Sequence, residues 1–245
     1  MSAHSGSAEP ARRAQANVVG VALLLAITTV SLGVLTAGVG TVVESNAAAA
    51  DANRVSDTFT GIQPSKATGV ERHRLAFGEG SLRVVARTVR VLDGGGVVAS
   101  HRADALVFES GDRRVTFLAG AVLRGDGDAA RVVERPPLST ADSLLVVGLP
   151  VLNASGPDSV SGSGATRLTL KIDATHERRS LDDGRYRVAV ETATPPAWER
   201  YFASVGANTS SRDFDGDGVP SVVATYPGDR TAYLVVHDAR LEVQP

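Results

Sequence analysis

The chain contains no cysteine, which excludes disulfides and thiolate metal sites; an exported portion would have to rely on its core or on bound ions. Aromatic residues make up only 4% of the 245 positions, so a core must be built mainly from Val, Leu and Ala. Lysine is almost missing: Lys66 and Lys171 are the only two, and the other 23 basic residues are arginines, a bias that a GC-rich genome produces. Neither sign of charge is in excess, with 25 basic and 27 acidic side chains, and there is no basic stripe; no nucleic-acid partner is expected. Hydrophobic residues reach 43%, enough for a folded core.

The main feature present is one long uncharged run. Gln15 to Val43 is 29 residues without a charge, bounded by Arg12-Arg13 before it and Glu44 after it. About 20 apolar residues cross a bilayer as a helix, and the apolar region of an ordinary signal peptide is only about 7–15 residues. The run therefore predicts a single membrane crossing. Arg12-Arg13 on one side, against Glu44 and Asp51 on the other, put the N-terminus in the cytoplasm and the C-terminal bulk outside. Beyond the run, ESNAAAADANRVSDTF (44–59) is rich in the best helix former and lacks proline, and Gly61 and Pro64 end it. A helix from Asn17 to Phe59 would be roughly 65 Å long at the standard rise. Gly20, Gly33, Ala37 and Thr41 are small residues on it; Gly33, Ala37 and Thr41 follow at intervals of four, the spacing that lets helices approach closely.

Three export routes compete for the N-terminal region. A twin-arginine signal fits poorly, because Ala14-Gln15-Ala16-Asn17 follows the arginine pair. Signal-peptide cleavage could occur within Ala47–Ala50, where A-x-A sites fall, although the apolar run is long for that route. The third route is cleavage after a short basic leader, before the apolar helix, at Arg13-Ala14 followed by Gln15.

From residue 70 the period changes to two. SLRVVARTVRVLD (81–93) and VVAS (97–100) read as strands about a Gly94-Gly95-Gly96 turn, and DALVFES (104–110) and RRVTFLAGAVLR (113–124) as a hairpin about Gly111-Asp112. ARVVER (130–135) ends at Pro136-Pro137, and SLLVVGLPVLN (143–153) reads as a buried strand. Residues 154–165 (ASGPDSVSGSGA) read as a flexible Ser/Gly loop, and HERRSLDDG (176–184) as a charged connection between strands at 166–175 and 185–193. Pro195-Pro196 opens a short helix whose Trp198, Tyr201 and Phe202 share a face, and strands at 221–226 and 231–243 follow. About ten strands and one or two helices make this an α+β class, mostly antiparallel β after a long N-terminal helix.

Candidate sites are few. Asp213, Asp215 and Asp217 alternate with Phe214 and Gly216, the way calcium loops present oxygens, but position twelve is Ala224 rather than glutamate. The loop is either a Ca²⁺ site or an acidic hairpin turn. Asn153-Ala154-Ser155 and Asn208-Thr209-Ser210 are N-glycosylation triplets in expected loops. The histidines at 4, 73, 101, 176 and 237 are isolated, and His237-Asp238 would point to opposite faces of a strand. No metal-protease, hydrolase-elbow or phosphate-loop motif is present, so no enzyme activity is expected.

RAQANVVGVALLLAIT (13–28) resembles the N-terminal segment of haloarchaeal type IV pilins. The resemblance implies that a prepilin peptidase cuts between Ala14 and Gln15, with Arg13 before the cut, leaving Gln15 as the mature N-terminus. Val19 stands where bacterial pilins carry a glutamate, a residue that archaeal pilins commonly lack. AGAVLR (119–124), Pro136-Pro137 and AWERYF (197–202) are similar to a haloarchaeal group of anchored pilin-like proteins of unknown role. Together these readings imply a cytoplasmic leader (1–14), a transmembrane and extended helix (15–60) and an extracellular β-rich head (61–245). The expected role is a membrane-anchored pilin-like surface protein, a subunit or minor component of a surface filament assembling with itself or with other pilin-like subunits. The alternative is a single-pass anchored module that binds a glycan, a protein partner or calcium without assembling.

Overall fold

The computed structural model describes residues 9–66 and 69–244, and side chains within these except those of residues 9–19, 37 and 38. By its contacts the chain divides into two units, residues 1–46 and 47–245. The first described element, α1, is a helix over Glu9–Gly61 that begins ahead of the expected Asn17. In residues 20–46 every described side chain is exposed.

Within the second unit the end of α1 changes character. Ala48, Ala52, Val55 and Phe59 recur every three or four residues and are buried, so one stripe of the helix faces a core. Asp51 is buried beside them, and its Oδ2 accepts the backbone N–H groups of Gly78 at 2.8 Å and Glu79 at 3.2 Å. The helix stops at Gly61, and Ile62 N–H donates to the Phe59 carbonyl at 3.0 Å.

Fourteen strands follow among the described residues: β1 (Gly69–Val85), β2 (Thr88–Leu92), β3 (Val97–Arg102), β4 (Ala105–Ser110), β5 (Arg113–Leu118), β6 (Ala121–Arg124), β7 (Arg131–Glu134), β8 (Leu138–Ala141), β9 (Leu144–Ser155), β10 (Ser159–Gly184), β11 (Arg187–Glu191), β12 (Asn208–Arg212), β13 (Ser221–Thr225) and β14 (Arg230–Gln244). A 3-10 turn lies at Gly127–Ala129, and helix α2 at Pro195–Ser204. They form a nine-stranded sheet, order β7-β6-β5-β4-β1-β10-β14-β9-β8, and a five-stranded sheet, order β12-β13-β11-β2-β3. The α+β class expected from the sequence is the one observed. Every pairing is antiparallel except β14 with β9.

Alternation along single strands assigns the layers. In β4, Ala105 and Val107 belong to one cluster and Leu106 and Phe108 to another, so the large sheet is buried on both faces. The first cluster packs it against the inner side chains of the small sheet (Val89, Val91, Val188, Val190, Val222 and Ala224) and against α2. The second packs its other face against the buried stripe of α1. The unit is therefore layered as helix, large sheet and small sheet.

Several local expectations are corrected. Residues 81–93 are two strands in different sheets, because the chain crosses between layers at Ala86-Arg87. Residues 113–124 are a hairpin, turned at Ala119 (φ 50°) and Gly120 (φ 82°), where positive φ at both central residues matches the twist of the flanking strands. Of the Ser/Gly stretch only Gly156–Asp158 is a loop: Ser159–Ser163 pairs with Arg83–Glu79 of β1. The charged connection at 176–184 is likewise strand, paired with β14. In both places long-range pairing overrides weak local preference. The 26-residue β10 that results is flanked by β1 and β14. β12 lay outside the expected strands; all five of its residues are exposed, so it lacks the alternation by which strands are recognised.

Candidate functional site

One candidate surface is the helix itself. Residues 20–61 form the one described helix long and apolar enough, by length and composition, to cross a membrane, and none of its most apolar stretch is buried. Val34 is 70% exposed, Leu32 66% and Leu35 64%. A methyl group added at Gly20 or Gly33 would meet nothing within 4 Å. Gly33, Ala37 and Thr41 lie within one unbroken helix, where a spacing of four places residues on one face; the side chain of Ala37 falls outside the described residues. The expected cleavage residues Arg13, Ala14 and Gln15 lie in α1, and their side chains also fall outside the described residues. Hydroxyls along this stretch turn inward: Thr28, Thr29 and Thr36 donate to carbonyls three or four residues back at 2.8–3.0 Å. These three hydroxyls are satisfied by the helix's own backbone.

The acidic loop joins β12 to β13, and each of its three carboxylates has a partner within the protein. Asp213 accepts backbone N–H groups from Gly216 at 2.7 Å, Gly218 at 3.1 Å and Asp215 at 3.2 Å. Those bonds, Gly216 and Gly218 foremost, hold its carboxyl below the usual carboxylate range. Asp215 takes the Arg90 guanidinium at 2.5 and 2.6 Å, and Asp217 accepts Val219 N–H at 2.8 Å. Phe214 lies between two guanidiniums, Arg90 at 4.8 Å and Arg212 at 4.7 Å, and packs on Leu92, Ala189 and Val223. Arg90 is buried, and buried Glu191 stands 3.9 Å from it. Burial raises the Glu191 pKa against the pull of Arg87, while Asp217 raises it further. The loop thus clips over the outer face of the small sheet. Among the described residues, no group of three or more His, Asp or Glu side chains is arranged to hold a metal ion.

The histidines are less isolated than their spacing suggests. The register of β10 and β14 sets His176 opposite His237, with Nδ1 atoms 2.8 Å apart and ring centroids 4.9 Å apart. One ring must donate and the other accept. A separation of 61 residues hides such a pair until the register is known. Asp238 does leave the opposite face of β14 and accepts Asn153 Nδ2 at 2.8 Å. Asn153 is therefore in strand β9 rather than a loop, and its Ser155 donates to the Leu241 carbonyl at 3.2 Å. Asn208 opens β12 and is exposed.

The three segments similar to pilin-like proteins converge on one place. Ala119, Pro136, Trp198 and Phe202 line a small apolar cavity of about 20 Å³ between the sheets. A methyl at Gly120 would lie 2.7 Å from Pro137 and 2.8 Å from Pro150, and one at Gly148 would lie 2.4 Å from the Pro137 carbonyl. These glycines let backbone and proline rings meet. The apolar members of these segments pack between the sheets.

Two buried carboxylates had no signal in the sequence. Asp51 ties α1 to β1, as above. Asp104 accepts Ala154 N–H at 3.0 Å and Arg102 Nε at 2.9 Å, closing the crossing from β3 to β4. A lone acidic residue amid polar neighbours looks solvated until its partners are seen.

The family described as "Family of unknown function (DUF7289)" matches residues 13–242. No curated protein and no solved structure matches the chain.

Proposed function

We propose that this chain, which belongs to the DUF7289 family, is a membrane-anchored, non-enzymatic, pilin-like surface protein. The apolar part of α1 is its anchor and its polymer core. The observation that carries this reading is the change within one helix: a surface exposed at every described position through residues 20–46 and apolar as far as Val43, then a buried stripe from Ala48. An exposed apolar surface of that length requires lipid or copies of itself. A type IV-like assembly uses both in turn. The helix is stored in the bilayer, then moves into a bundle where small residues such as Gly33 allow close approach.

On this reading the leader is cytoplasmic, a prepilin peptidase cuts between Ala14 and Gln15, and the β-rich unit is outside the cell. The rival, a single-pass anchored binding module that does not assemble, shares the anchor and differs in whether residues 20–46 ever meet their copies. Electron microscopy of cells producing the protein separates the two. Surface filaments that carry the protein and vanish in Arg13→Ala are expected; wild-type cells without such filaments would favour the static anchor.

A further inference from the structure

A cleft of about 370 Å³ opens between the edge strand β7 and helix α2, lined by Arg131, Val133, Arg135, Arg200, Tyr201 and Ser204 among others. We propose that it binds a small oxyanion-bearing ligand: a sulfate, phosphate or carboxylate, free or carried on a compact organic body. The inference does not depend on the filament reading.

Three guanidiniums line one cleft, and no carboxylate among the described residues pairs with any of them, whereas Arg83, Arg90, Arg102 and Arg114 each pair with an acid. Arg131 and Val133 lie in β7 and Arg135 directly follows it, so one short edge segment supplies two of the three guanidiniums. β7 ends the nine-stranded sheet, so its outer edge has no strand beside it. Arg200 is positioned by neutral partners: its Nη2 donates to the carbonyls of Asp128, at 3.2 Å, and Ala130. Those bonds fix its direction and leave its charge uncancelled. Ser204 donates to the Tyr201 carbonyl at 2.6 Å, which pins the last turn of α2.

Tyr201 is 5% exposed, and burial raises its pKa, opposed by the Arg135 charge beside it. It therefore stays a neutral phenol, which does not repel an anion. Guanidinium forks match carboxylate, sulfate and phosphate oxygens two at a time, and three of them suit a ligand with several oxygens. A volume in the about 300–1,000 Å³ range of small-molecule sites admits more than a bare ion, and Val133 offers an apolar wall to a carrier.

The test uses the full-length protein in detergent micelles at moderate salt, titrated with sodium sulfate, glucose 6-sulfate and glucose. Saturable binding of at least one sulfate probe, with none of glucose, is expected. Arg135→Gln should weaken it about tenfold, as loss of one charge-assisted contact does. Arg131→Gln, at an exposed position of the edge strand, should do the same without relying on a residue that holds the fold. Arg240→Gln removes an exposed arginine elsewhere on the unit and should leave binding unchanged. Glucose 6-sulfate binding tighter than sulfate identifies a carried oxyanion; equal binding identifies the free ion. No saturable binding of either sulfate probe, or equal weakening by Arg240→Gln, overturns the proposal.

Discussion

At the scale of single residues, the histidine pair has a consequence in pH. Burial, then His176, then Arg178 hold His237 below the usual histidine value, and burial holds His101 below it against Glu177 and Asp238. The folded protein therefore keeps these rings neutral at a pH where the unfolded chain binds protons. The stability they contribute is complete above about pH 6.5 and is lost as the pH falls below it towards the folded pKa values. Thermal melts at about pH 7.5 and about pH 5 should show a lower Tm in acid, and a smaller drop in His237→Gln. A Tm that is flat across that interval would contradict the assignment.

Asp215 makes a second prediction at this scale. Its side chain is 47% exposed, so its ion pair with buried Arg90 is discounted for solvent, and Asp215→Ala should cost about 1 kcal/mol. The cost should be the same in EDTA as in calcium. A calcium-dependent rise in wild-type Tm that disappears in Asp215→Ala would assign the loop to a cation instead.

At the scale of elements, α1 has two kinds of surface, and substitutions should separate them. Phe59 is fully buried and meets Phe117 edge-on at 6.3 Å. Phe59→Ala should destabilise the β-rich unit by about 3–5 kcal/mol in denaturant melts of the detergent-solubilised protein. Leu32→Ala, on the exposed stretch, should leave that melt unchanged; equal losses from both would mean that the two stretches are not distinct.

The elements also differ in how far they could be read from sequence. DALVFES announces a strand because its branched and aromatic residues exceed what any loop would carry, and the glycine turns on either side of the 97–100 and 104–110 segments bound it. SVSGSGAT (159–166) does the opposite: its residues favour loops, and only the pairing partner in β1, reached through the layered core, makes it a strand. The strand at 221–226 was legible but not the sheet to which it belongs, since a crossing such as Ala86-Arg87 changes layer without a turn signal. For the sites, the acidic loop was visible because its residues are contiguous. The cleft of Arg131, Arg135 and Arg200 joins an edge strand to a helix 60 or more residues later, and contiguity cannot reveal it.

At the scale of the whole molecule, the chain combines a helix long and apolar enough to cross a membrane with a β-rich unit that has a core of its own, residues 47–245. Export by the prepilin route distinguishes an anchor able to enter a filament from one fixed in place. The most direct measurement is the N-terminal sequence of the protein taken from native membranes or surface filaments. The account predicts that the mature chain begins at Gln15, with residues 1–14 removed and the apolar run kept. A chain still beginning at Met1 would contradict the pilin-like route in favour of a static anchor, and one beginning near Asp51 would contradict the anchor as well.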